Sequence, residues 1–259
     1  QKSFEDSHKE RRGKCCFPEN LSFKTKPQIA AEMFRKIRDD EILPFKYVAA
    51  DSVYTNSEDF LEAVENIPGV VYFLAIPSDT LFWFHEPVVT EKQFKHKGVI
   101  RSRKVVNKKE KVPVRVDNFA KDLKDYFWYR RTVAEGTKGP IDYEFTKRRV
   151  TLCKKGMPDR NVWLIIRRTL GKNPEYSFFI SNAPRSTQLN IFVWLSGIRW
   201  AIEQCFEETK TELGMDHYEV RKYGGWHHHI LTCMLAHFFL WHLKIRLGEK
   251  NTVHYAVAA

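Results

Sequence analysis

The sequence predicts an α/β fold, and three observations predict it. Two short apolar runs, Phe45–Ala50 and Val70–Ile76, flank a stretch with helical spacing, which is the pattern of a βαβ unit with parallel strands. Residues 77–185 then switch to short β-branched and aromatic stretches separated by Gly, Pro and Asn turns, so a mostly β segment interrupts the alternation. From Ser186 onward the spacing is helical again.

Each element has a local cause. Residues 1–24 are polar and mixed in charge and read as an irregular lead-in. Thr25 can cap a helix, Pro27 suits its first turn and Gln28 completes a capping box. Ile29, Ala30, Met33, Phe34 and Ile37 follow at helical spacing, so that helix should run to about Ile42. Pro44 precedes the first strand, and Asp51 ends it. Ser57 should cap a helix through Val64, which Pro68 and Gly69 close before the second strand. The middle segment offers strands at Leu81–Phe84, Trp128–Val133, Tyr143–Leu152, Val162–Thr169 and Tyr176–Ser181, with one helix near Asn118–Tyr126. A long helix is predicted from about Thr187 to Leu213, stopped by Gly214. The last should span roughly Trp226 to Leu247, with Ile230, Leu231, Met234, Leu235, Phe238, Phe239 and Leu243 at helical spacing.

Composition narrows the function. Of 259 residues 43% are apolar and 14% aromatic, enough for a core and too many for a disordered chain. The longest apolar runs fall short of the roughly 18 residues of a membrane-spanning helix, and no signal peptide is visible. The five cysteines lack CxxC spacing and read as reduced thiols of a cytoplasmic protein. The chain opens on Gln1 rather than Met, so a processed or truncated product is expected. The net charge of +11 is concentrated: residues 77–185 hold 25 Lys+Arg against 12 Asp+Glu, and the rest hold 18 against 20. A middle segment so basic suits a polyanion better than plain solvation.

The segment RWAIEQCFEETK, residues 199–210, is the most specific pattern. At about 100° per residue, Arg199, Glu203, Glu207 and Lys210 fall within about 40° of one line along a helix. A carboxylate between two cations can hold a divalent metal while the cations meet phosphates. The same spacing also describes an ordinary Arg–Glu pair on a solvated face. Asp51 is the second candidate: a carboxylate closing a buried strand must cap, pair or bind a metal. Its plain role would be to cap the next turn through Ser52 or Tyr54. The run His227-His228-His229 is a weak metal signal, because neighbours on a helix point about 100° apart. His229 and Cys233 share a face but lack a further partner in the sequence, so Trp226 and His229 read as packing residues.

At these residues the sequence resembles insertion-sequence transposases of the Asp-Asp-Glu superfamily, in the branch with a Tyr-Arg-Glu-Lys signature. The blocks FKTKPQIAAEM, YVAADSVY, RWAIEQCFEETKTELGMDHYEVRKYGGWHHHI and LTCMLAHFFL carry the resemblance, in matching order. It implies an incomplete ribonuclease-H-like catalytic core interrupted by a mostly β insertion. Residues 1–76 would be its first part, 77–185 the basic insertion and 186–259 the C-terminal helices. Asp51 then matches the second metal-binding aspartate and Glu203 the glutamate, while Arg199 and Lys210 match the signature's cations. The signature tyrosine falls on Ser196, a departure from the pattern. The first aspartate is expected upstream of this sequence, since Asp6, Asp39 and Asp40 do not end a buried strand; the chain alone would then be inactive.

The implied activity is metal-dependent DNA cleavage and strand transfer. Two Mg²⁺ ions roughly 3.5–4 Å apart, with Mn²⁺ as a substitute, would serve an in-line displacement at phosphorus. The implied partners are double-stranded DNA, as transposon ends and target, and a second copy of the chain, in the nucleoid of a prokaryotic cytoplasm. Two other readings are a non-catalytic DNA-binding remnant that inhibits the intact protein, and a host ribonuclease-H-like nuclease.

Overall fold

The computed structural model describes residues 8–40, 43–96, 99–136 and 139–247. They fall into two compact units, one within residues 27–197 and the other within the flanking segments 8–26 and 198–247.

The larger unit is built on a mixed sheet. Strand β1 (Tyr47–Ala50) pairs in parallel with β2 (Val71–Ala75), in the register Val48 to Tyr72 and Ala50 to Leu74. The one-turn helix α3 (Ser52–Thr55) and helix α4 (Glu58–Glu65) connect them, so the expected βαβ unit is present. Ser57 does cap α4, its hydroxyl accepting from the Phe60 amide at 3.4 Å. Helix α2 (Lys26–Asp40) precedes the unit, as its capping signals predicted.

Beyond β2 the sheet turns antiparallel. Its order is β1-β2-β10-β9-β8-β3-β6, with β7 also on β8. Here β3 is Leu81–Trp83, β6 Val114–Arg115, β7 Tyr129–Gly136, β8 Gly139–Lys154, β9 Met157–Arg168 and β10 Tyr176–Ser181. The β-rich middle of the chain therefore extends the sheet that β1 and β2 begin. Helix α5 (Val116–Asp122) and a 3-10 turn at Asp125–Phe127 occupy the place of the single helix expected there.

Both faces of the central strands are covered, and this explains their near-continuous apolar sequences. On one face Tyr72, Leu74, Ile180 and Leu164 pack with Phe60 and Val64 of α4 and Val116 of α5. On the other, Phe73 stacks on Phe179 at 4.7 Å and on Phe192 at 6.3 Å. Phe192 belongs to helix α6 (Leu189–Thr211), whose first turns lie within this unit. Burying each such side chain contributes about 1.5–3 kcal/mol, so this two-sided core dominates the unit's stability.

Three strands of this unit were not expected. Strands β4 (Val89–His96) and β5 (Val99–Val106), without an apolar alternation, form a separate two-stranded sheet. Strand β6 is too short for any pattern to announce it.

In the other unit, α1 (Lys9–Lys14) replaces part of the expected irregular lead-in. The C-terminal part of α6 is followed by α7 (Tyr223–Arg246), with Gly214 at φ +62° ending the first, where a glycine had been expected to stop it. The Tyr223 amide donates to the Cys15 carbonyl at 2.8 Å, and Phe17 packs on the Tyr223 ring at 4.8 Å. The apolar spacing of α7 did not translate into burial. Leu231, Met234, Leu235, Phe238 and Phe239 are exposed, Trp226 is 44% exposed, and Cys233 is the helix's buried residue among those described. No helix among the described residues is long and apolar enough to cross a membrane.

Candidate catalytic and nucleic-acid-binding residues

Asp51 stands where the sequence placed it, at the carboxyl end of β1. Its backbone is extended (φ −79°, ψ 166°) and the side chain caps α3, accepting from the Ser52 amide. The Ser52 hydroxyl also donates to Asp51 Oδ1, at 3.1 Å. The plain capping role is therefore real, and it occupies Oδ1; Oδ2 takes no part in those bonds. The turn is pinned behind the carboxylate: Thr55 Oγ1 donates to the Ala75 carbonyl at 2.7 Å, tying α3 to the end of β2. Tyr54 packs on Phe60 at 5.2 Å. The result is an exposed carboxylate on a braced turn beside the carboxyl ends of two parallel strands. In α/β sheets that edge is where ligands are bound.

Glu203 and Lys210 lie on α6 in the smaller unit, both exposed, with Glu207 exposed between them. The backbone of Arg199 is helical, and its side chain lies outside the described residues. Ser196, at the signature tyrosine's place, is buried and donates its hydroxyl to the Val193 carbonyl at 2.7 Å. It is committed to its own helix and offers no phenol-like donor.

A third carboxylate of α6, Glu208, has a role that sequence reasoning missed. Glu208 accepts from His237 Nε2 at 3.1 Å and from Trp241 Nε1 at 3.2 Å, both on α7, and from Gln204 Nε2 at 2.7 Å. Burial would raise its pKa, yet the bonds from His237, Trp241 and Gln204 hold it below the usual glutamate value. The His237 ring also lies 3.8 Å from the Cys205 sulfur. This cluster clamps α6 to α7. The signal was the spacing of four between His237 and Trp241, which puts both on one helical face. His229 has a similar duty: its Nε2 lies 3.1 Å from the Gly214 carbonyl and 3.8 Å from the Cys233 sulfur.

Carboxylate oxygens are the donors that a hard divalent cation prefers. Among the described residues, however, no three of His, Cys, Asp and Glu come together to hold an ion. The carboxylates of Asp51 and Glu203 each fit such a cation by their chemistry.

A model of the DDE superfamily endonuclease family matches residues 1–140, more than half of the chain and including Asp51. This chain belongs to the DDE superfamily endonucleases. Membership makes it a transposase-type nuclease by family, with DNA as the implied substrate. The 199–210 block lies beyond the matched segment of this DDE endonuclease. No curated protein matches the chain.

Proposed function

We propose that this DDE superfamily endonuclease is an insertion-sequence transposase of the Tyr-Arg-Glu-Lys branch, with a ribonuclease-H-like core, that cuts DNA at transposon ends and joins the freed ends to a target. The observation that carries the reading is the exposed carboxylate of Asp51 on its braced turn at the end of β1, inside the segment matched to the family. Asp51 and Glu203 are the proposed catalytic carboxylates and would hold Mg²⁺, or Mn²⁺ in its place. When bound, such an ion supplies charge neutralisation at the phosphate and a more acidic bound water. Arg199 and Lys210 would position phosphates, and the basic segment 77–185 would hold the duplex. In the reaction an oxygen nucleophile forms a new bond to phosphorus in line with the departing O3′. The old P–O bond breaks, and the leaving oxygen takes up a proton. A homodimer on two DNA ends, in a prokaryotic cytoplasm, completes the reading.

The test is a nicking assay with the full-length protein on a duplex carrying the element's own ends. Asp51→Asn and Glu203→Gln should each lower Mg²⁺-dependent nicking at least about 100-fold, the scale of losing a group that stabilises a transition state. Duplex affinity should stay within about twofold, because neither carboxylate contributes to phosphate attraction. Undiminished nicking by either variant overturns the assignment. A wild-type protein that binds its ends without nicking them would leave the reading of a DNA-binding remnant.

A further inference from the structure

The β4–β5 ribbon has a sidedness that its sequence conceals. Residues 89–106 contain six Lys+Arg and a single acid, Glu91. The antiparallel register sets Lys92 opposite Arg103 and Phe94 opposite Arg101, all on one face. Glu91 opposite Lys104, Gln93 opposite Ser102 and Lys95 opposite Ile100 fall on the reverse face. There Glu91 accepts from the Ser102 hydroxyl at 2.6 Å. The ribbon's one acid is thus spent on the reverse face, and three cations gather on the other with no acid among them.

That arrangement costs the ribbon stability, since like charges directly opposite in a ladder repel. An isolated two-stranded ribbon is marginal to begin with. Hydrogen bonds tie down the base of the ribbon. The Asn107 amide donates to the Val88 carbonyl at 2.9 Å, and the Val88 amide donates to Glu110 Oε1 at 3.2 Å. Trp83 Nε1, buried in the main sheet, donates to the Lys111 carbonyl at 2.9 Å. The Arg103 guanidinium lies 5.7 Å from the centre of the Phe94 ring, which holds it over the same face. Lys92, Phe94, Arg101 and Arg103 are all exposed. An eight-residue ribbon tied at its base by these bonds reaches about 25 Å, and a two-stranded ribbon fits the major groove of B-form DNA.

We infer that the β4–β5 ribbon is a duplex-DNA docking element, with Lys92, Arg101 and Arg103 each neutralising a backbone phosphate along one groove. The inference rests on the transposase reading for its choice of DNA as the polyanion; the one-sided charge stands without it.

The experiment measures affinity of the full-length protein for a 30-base-pair duplex across a salt series. Two charge-matched triple variants are compared with the wild type. Lys92→Ala/Arg101→Ala/Arg103→Ala strips the cationic face, and Lys95→Ala/Lys104→Ala/Lys172→Ala removes two cations from the ribbon's reverse face and one from the β9–β10 connection. The first should make the slope of log affinity against log salt shallower by about 2.7, three contacts at about 0.9 each; the second should shift it by less than about 1. Lys92→Arg/Arg101→Lys/Arg103→Lys, which keeps the charges, should restore the wild-type slope, and that excludes misfolding as the cause. Equal slope changes in both alanine variants, or none in the first, overturn the ribbon's role while leaving the nuclease reading intact. A wild-type protein without affinity for any duplex overturns both.

Discussion

At the scale of single residues, a network of charges ties helix α4 to strands β8 and β9. Arg160, whose side chain is 15% exposed, reaches Glu58 on α4, Glu65 Oε1 at 2.8 Å and Asp159 Oδ2 at 3.2 Å, while Lys154 takes the other oxygen of Glu58. The hydrogen bond from Arg160, and then the one from Lys154, pull the Glu58 carboxyl down to about 2 from an ordinary 4.5. A carboxyl whose pKa falls on folding stabilises the native state above its unfolded value, and that contribution disappears as pH drops through the folded value. The window here is therefore from about 4.5 down to about 2. Because the Glu58 side chain is 45% exposed, solvent screening limits the effect to about 0.5–1 kcal/mol. Urea unfolding of the wild type and of Glu58→Gln should thus differ at pH 6 and converge toward pH 2. A difference that stays constant with pH would show that charge is not what Glu58 contributes. None of this was legible in the sequence, for Glu58 and Arg160 are 102 residues apart and obey no local periodicity. Asp51 was legible, because a strand's end and a cap are both local facts.

At the scale of elements, helix α6 holds a glycine where propensity argues against one. A mid-helix glycine costs about 1 kcal/mol relative to alanine. Yet a Cβ on Gly197 would stand 2.8 Å from Val133 Cγ1 and 3.3 Å from the Val133 carbonyl oxygen. The helix lies so close to β7 that it has no room for a methyl group. Gly197→Ala should therefore destabilise by about 1–3 kcal/mol despite the gain in helix propensity. Adding Val133→Ala should recover part of that loss, a coupling that denaturant unfolding of the double-mutant cycle measures directly. If Gly197→Ala is stabilising alone, the close approach is not what keeps the glycine. Elements followed the sequence where burial imposed a period. Helix α4, which buries Phe60, Leu61, Ala63 and Val64, stands within a few residues of its predicted place, as do the largely apolar strands β1, β2 and β10; helix α2 was placed by its capping residues, since Ile29 and Met33 of its apolar spacing are exposed. The ribbon escaped notice because both its faces meet solvent, which leaves its sequence free of alternation. Helix α7 shows the converse. Its apolar residues have helical spacing, but spacing reports the element and not what covers it, and most of them are exposed.

For the whole molecule, the proposed chemistry makes a demand that can be tested without any turnover. Asp51 belongs to the unit of residues 27–197 and Glu203 to the unit formed by the two ends of the chain. If both carboxylates serve one ion site, Mg²⁺ binds the native protein and not the unfolded chain, and stability must rise with its concentration. At ten times the dissociation constant the gain is about 1.4 kcal/mol, or roughly 3–5 °C in Tm for a protein of this size. Thermal unfolding of the full-length protein with 0 to 20 mM MgCl₂ should show that rise, and Ca²⁺ should give one as well, since it too favours carboxylate oxygens. Asp51→Asn alone and Glu203→Gln alone should each remove most of the shift, and the double variant should remove little more, because one shared site is lost in every case. Additive losses would mean two independent sites. A shift that survives both substitutions would place the ion elsewhere and detach Asp51 and Glu203 from the chemistry proposed for them.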